Sequence, residues 1–260
     1  MLVALGWGAA LSALGLLSRN AASSALTDFT ATDDFDELRI RRLPPRAVVL
    51  ESSPQTVFRS LELAAVEGGR PDVVHVPLPF LRYPGVDLAL LQRSPSLRPT
   101  VEGYLAAHDH LTLAPLLALS RERPVFVELD PRVAPALYRH LTPRGVLTQV
   151  AITPEPVDHA LLARTLGRLH AQLGVQQRET ETAHQLLWIH YHNAVQLGAL
   201  GLIAPAQSEV GRALVLHPQE TRLHQLVSAL HGAAVDSAST PGGASVDPAP
   251  FLQFDARAAP

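Results

Sequence analysis

The stretch AVVLESSPQTVFRSLELAAVEGGRPDVVHVPL, residues 47–78, reads as a complete strand–helix–strand unit. Its two ends, "AVVLES" (47–52) and "DVVHVPL" (72–78), are short β-branched runs without alternation, the pattern of strands covered on both faces. Between them Val57, Phe58, Leu61 and Ala65 recur at helical spacing. Pro54 suits the first helical position, Ser53 the cap before it, and Gly68-Gly69 the end. The unit is therefore βαβ, with a right-handed crossover by default.

Working outward, "PVFVEL" (124–129) and "GVLTQVAI" (145–152) give two further strands. Residues 98–121 read as helical segments broken at Pro115, and 131–141 as a short helix. The expectation for 43–153 is a small three-layer α/β domain with a mainly parallel sheet. Beyond Pro156 the apolar period changes to that of four amphipathic helices, placing an α-helical domain at 154–232. Within it Ala194, Leu197, Gly201, Ile203, Ala206, Val210, Ala213 and Pro218 fit the small and large positions of a tetratricopeptide (TPR) repeat. His190 replaces the usual aromatic and Asn193 the usual Leu, so a generic helical hairpin bundle stays open as the other reading. Residues 233–260 are rich in Ala, Pro, Gly and Ser and read as a disordered tail.

The first 18 residues carry no charge, enough to cross a hydrocarbon core, so 1–19 reads as a transmembrane helix or uncleaved signal anchor. A cleaved signal peptide and a buried helix are the competing readings, weakened by the lack of Lys or Arg before the apolar run and by its length. Residues 20–42, polar and acidic, read as a tether. The downstream arginines lie too far from the helix to fix its orientation.

The chain has 260 residues, 47% apolar, with a net charge of −3. That balance, and the absence of any basic stripe interleaved with aromatics, argues against nucleic acid as a partner. With no cysteine, disulfides, thiolate metal sites and a thiol nucleophile are excluded. No G-x-S-x-G, G-x-G-x-x-G or Walker sequence occurs, and none of the twelve histidines belongs to an HExxH set. No catalytic residue, metal or cofactor is assigned. His190 and His192 are read as surface or capping residues, pointing to different faces of one helix. His108-Asp109-His110 fall at a turn, where an acid/base role is geometrically open. The candidate ligand-binding residues are Glu51, Ser52, Ser53, Gln55 and Asp130, at the carboxyl ends of two strands. Glu51 and Asp130 would form an acid/base pair if those strands were neighbours.

Residues 43–84 present Leu43-Pro44, Val48 to Leu50, Thr56-Val57-Phe58 and Arg70-Pro71-Asp72-Val73 in order, and 123–131 read "RPVFVELDP". This succession resembles the extracytoplasmic region of a bacterial family of multi-pass, GT-C-type membrane proteins similar to protein O-mannosyltransferases, in which a helical repeat region follows. The likeness implies a bulk that faces the periplasm or cell exterior and a link to glycosyl transfer; with the one apolar segment, the expectation is a single-pass protein of the bacterial inner membrane with its soluble part in the periplasm. The family's acidic "GDNDTF"-like turn is replaced by Glu51 to Gln55, and its many-helix catalytic portion is absent from this sequence. The expected function is a non-catalytic binding or scaffold module that meets a protein partner, such as a multi-pass subunit. The alternatives are the separated part of a glycosyltransferase and a small-molecule-binding α/β domain.

Overall fold

A computed structural model describes residues 30–66, 69–128, 135–153, 156–175, 180–239, 245–247 and 249–251. Among these residues lie nine α-helices and one five-stranded sheet. The helices are α1 (Thr30–Asp36), α2 (Pro54–Val66), α3 (Val86–Arg93), α4 (Arg98–Ala106), α5 (Leu113–Glu122), α6 (His159–Val175), α7 (Thr180–Ala199), α8 (Ile203–Leu216) and α9 (Thr221–Ser239). The strands are β1 (Val48–Glu51), β2 (Val74–Pro77), β3 (Val125–Val127), β4 (Leu141–Pro143) and β5 (Thr148–Val150), in the order β2-β1-β3-β5-β4.

The βαβ unit forms as its pattern dictates, with β1 central and parallel to both β2 and β3. The other half of the sheet is antiparallel, β3 with β5 and β5 with β4. The expectation of a mainly parallel sheet is thus corrected to a mixed one. The region expected as the fourth parallel strand is the return arm of a hairpin whose first arm, Leu141–Pro143, is too short to show a period. Gly145 makes that hairpin possible, with φ at +91° between the two arms.

Both sheet faces are covered. Val48, Leu50, Val125 and Val127 pack with Val101 and Tyr104 of α4 and Leu116 and Leu119 of α5. Val49 and Phe126 pack with Ala31 and Phe35 of α1 and Leu162, Leu166 and Leu169 of α6. Asp158 starts α6 by accepting the N–H of Leu161 at 2.9 Å, as a helix cap should. Helix α7 closes the arrangement: Leu186 belongs to the second cluster and Leu187 to the first. Residues 190–198 of α7 are all buried, so this half of the helix is surrounded rather than amphipathic. The first cluster runs on through Tyr191 and Val195 to Val210 of α8 and Leu223 and Leu226 of α9, so the sheet and the helical half share one core.

Two terminal expectations change. The segment expected as a tether is helical from Thr30, continues through a π turn at Glu37–Arg41, and buries Phe35 and Ile40. Part of the expected tail also packs: Val246 is buried, its N–H donating to Gly198 O at 3.0 Å, and Tyr191 Oη donates to Phe251 O at 2.9 Å. The apolar residues 1–19 lie outside the described ones, and no described helix is long and apolar enough to cross a membrane.

The "RPDV" stretch acts as a clip. Arg70 grips Asp72 with two bonds of 2.7 Å and donates to the carbonyls of Arg41 and Leu43, while Asp72 accepts the N–H of Arg46. The Arg70 bond, above all, holds the Asp72 carboxyl below the usual carboxylate range. The clip ties the start of β2 to the chain entering β1.

A Gly145→Ala variant tests the hairpin. The added Cβ would sit at positive φ and 3.2 Å from Thr165 Cγ2 of α6. A loss of about 1–2 kcal/mol is expected in urea unfolding. An unchanged midpoint would show that the turn does not need glycine.

Candidate functional site

Strand β1 sends the chain through α2 to β2 on one side, while β3 pairs on its other side. The order of connection therefore reverses between β1 and β3, where open α/β sheets place their ligands beyond the carboxyl ends of the strands. Glu51 ends β1 and Glu128 immediately follows β3. Because Val49 pairs with Phe126 and Leu50 with Val127, alternation puts both carboxylates side by side on one face.

Glu128 turns back onto the start of α2. The backbone N–H groups of Ser52 and Ser53 donate to its Oε2 at 2.8 and 3.0 Å, and Ser52 Oγ donates to its carbonyl at 3.0 Å. A carboxylate of the chain itself thus occupies the place at a helix N-terminus where a phosphate would otherwise lie. Thr56 Oγ1 is 2.8 Å from both Glu128 Oε2 and Ser53 O. Its one proton serves a single acceptor at a time; a proton on Glu128 removes the conflict, because the carboxyl then donates to Thr56 and Thr56 to Ser53. Burial raises the Glu128 pKa, as does Glu51, and these outweigh the opposing pull of the Ser53 N–H, Arg39 and Thr56. Glu128 Oε1 is buried without a hydrogen-bond partner, and the residue borders a cavity of about 20 Å³ together with Thr148, Gln185 and Asn193. That is room for about one water molecule.

Glu51 is neutralised by Arg39 from the π turn after α1. Arg39, 1% exposed, donates to Glu51 Oε1 at 3.0 Å, to Thr56 O and Ser60 Oγ, and to Asp36 at 3.2 Å. Ser60 Oγ and His75 Nδ1 meet the same Glu51 oxygen. Arg59 adds a 2.6 Å bond to Asp36, and its carboxylate partners Asp36 and Glu62 raise its pKa further above an already high value.

Of the residues expected at this site, Glu51, Ser52 and Ser53 do meet there, and Gln55 touches it through Ser53, whose hydroxyl donates to Gln55 Oε1 at 2.9 Å and accepts from Gln185 Nε2 at 3.0 Å. Ser53 caps α2 through its backbone: its carbonyl accepts from Val57 N at 3.1 Å. The strands of Glu51 and Asp130 are neighbours, but Asp130 lies outside the described residues, and the carboxylate brought beside Glu51 is Glu128. Glu128, Arg39, Thr56 and Ser60 escaped the sequence reading. The visible signal was a carboxylate at the equivalent end of each of two β-branched runs.

His190 and His192 of α7 are buried, contrary to the surface reading. His192 Nδ1 meets Tyr138 Oη at 3.2 Å, and His190, 0% exposed, places Nδ1 2.7 Å from Glu209 Oε2 of α8 and Nε2 2.7 Å from His170 Nε2 of α6. Glu209 also accepts from Arg212 at 2.6 Å and from Asn193. Burial works to raise the Glu209 pKa, but His190, Arg212 and Asn193 prevail and hold it low. Burial pushes His170 down to about 4, aided by His190 and Arg212 against Glu209. This chain of polar groups joins three helices. His108 and Asp109 take left-handed backbone angles, and Asp109 accepts from Arg82 at 2.8 Å. No group of three or more His, Asp or Glu among the described residues could hold a metal ion.

The fold and site define a mixed α/β protein whose sheet-end crevice is filled from within. No protein-family model matches the chain, and neither a curated protein nor a solved structure is significantly similar to it.

Arg39→Ala leaves Glu51 buried without its cation and should cost about 3–5 kcal/mol in chemical denaturation. A loss under ~1 kcal/mol would show that Ser60 and His75 suffice.

A carboxyl whose folded pKa is raised gives stability that is complete below its unfolded pKa and lost as pH rises through the folded one. Glu128→Gln, which keeps an acceptor for Ser52 and Ser53, should therefore unfold at higher urea than the parent at pH 8 (~pH 8 lies well above the ordinary Glu range). Glu128→Ala, which strands both N–H groups, should cost about 1–3 kcal/mol.

For His170 the sign is opposite. The unfolded imidazole takes its proton near 6.5 and the folded one near 4, so stability falls as pH drops between them. A His170→Gln variant should flatten that slope; an unchanged slope would place the titration elsewhere.

Proposed function

We propose that the chain is a membrane-anchored binding module, non-catalytic by itself, which meets a protein partner in an extracytoplasmic glycosyl-transfer system. The observation that carries this reading is the Glu128 carboxylate on the N–H groups of Ser52 and Ser53. The position best suited to a phosphate or sugar nucleotide is already taken by a carboxyl group of the chain itself. What remains beside it is a cavity of about 20 Å³.

The link to glycosyl transfer rests on the resemblance of residues 43–84 and 123–131, and the anchor on the apolar residues 1–19. The TPR-like character of the helical half belongs to the same proposal. It is supported by the burial of Ala194, Leu197, Ala206, Val210 and Ala213 where α7 packs on α8, and by the positive φ of Gly201 in the turn between them.

Thermal unfolding of the detergent-solubilised full chain with nucleotide sugars, inorganic phosphate and divalent metal ions tests the non-catalytic reading. No shift in Tm is expected. A ligand present at a hundredfold excess over its Kd would stabilise the fold by ~2.7 kcal/mol. A rise of that size would replace the binding-module reading with a small-molecule site.

A further inference from the structure

We infer that the exposed apolar patch formed by Phe58, Leu61 and Tyr83 around the half-buried Phe80 is a lipid-facing surface that seats the folded part of the chain on the bilayer holding its N-terminal segment. The inference rests on the membrane-anchored reading above.

Phe58 is 61% exposed, Leu61 59% and Tyr83 59%. They are not scattered: the Phe58 and Phe80 ring centroids lie 5.3 Å apart, those of Phe80 and Tyr83 5.8 Å, and Leu61 follows Phe58 by one turn of α2. Contiguous apolar surface of this kind marks an interaction site. Tyr and Phe with an adjacent Leu suit a membrane interface, where a ring can be apolar on one side and wet on the other.

The place where the chain departs toward residues 1–29 decides the occupant. Arg59, next to Phe58, binds Asp36 at 2.6 Å and lies 3.8 Å from Asp33, within the first turn of α1. The described chain therefore starts beside the helix that carries the patch. Only residues 20–29 separate Thr30 from the segment 1–19, a reach of at most about 40 Å fully extended. The nearby charges leave no excess of cations, Arg59 standing with Asp33, Asp36 and Glu62 and Arg82 with Asp109. Seating is thus driven by the apolar side chains and needs no anionic lipid.

The cysteine-free sequence makes the test clean. The full chain is reconstituted in phosphatidylcholine vesicles with a single environment-sensitive fluorophore (NBD) at Phe58→Cys, Tyr83→Cys or, as control, Val215→Cys on α8, 75% exposed. All three sites are exposed, so folding should be little changed. The expected result is blue-shifted emission at 58 and 83, with most of it lost to spin-labelled lipid, and neither effect at 215. Emission at 58 and 83 as water-exposed as at 215, in chains that float with the vesicles, overturns the inference while leaving the anchor intact. Blue-shifted emission that lipid does not quench overturns it in favour of a protein cover. Chains that do not float with the vesicles overturn the anchored reading itself, and this inference with it.

Discussion

Two carboxylates on neighbouring strands, facing the same way and out of water, are the constraint around which the sheet end is organised. Like charges in low dielectric repel strongly, and each also loses hydration. The fold answers each in a different way. Glu51 receives a guanidinium, Arg39, which arrives from a separate element and is itself held by Asp36. Glu128 receives two backbone N–H groups and is biased toward its neutral form. The difference in treatment allows the two to stand side by side.

That solution fixes elements well away from the strands. Arg39 can reach Glu51 only if α1 and its π turn lie against the sheet, so the ion pair and the burial of Phe35 and Ile40 support one another. The turn from β1 into α2 is held from outside by Glu128 and Gln185 rather than by a side-chain cap of its own. The turn thereby joins β1, β3, α2 and α7. The same economy of polar groups recurs at His190, where Glu209 and His170 satisfy both ring nitrogens in the fully buried half of α7.

Much of this is legible in the amino-acid sequence alone. The βαβ unit, the run of four helices and their turns follow from period and punctuation, which are local properties. The three-residue β4 was hidden because Leu141–Pro143 is too short for a period, and its partner then looked parallel. Arg39 was hidden because the polar sequence around it reads as solvated, and only the Glu51 carboxylate 12 residues later makes its burial favourable. His190 and His192 misled for a related reason. A helix rich in polar residues is expected at the surface, and the partners that permit burial, Glu209 and Tyr138, lie 19 and 54 residues away. Glu51, Ser52 and Ser53 were found because the ends of buried strands converge by geometry alone.

Helix α7 gives the molecule a property that the arrangement of its parts does not suggest. Adjacent residues Leu186 and Leu187 belong to the two opposite hydrophobic clusters, so withdrawing this helix would open both at once. Neither the sheet layer nor the helical hairpins retains a closed interior without it. Loosening of the helical half would accordingly reach the sheet through both clusters, and melting is expected to show a single transition rather than one for each half.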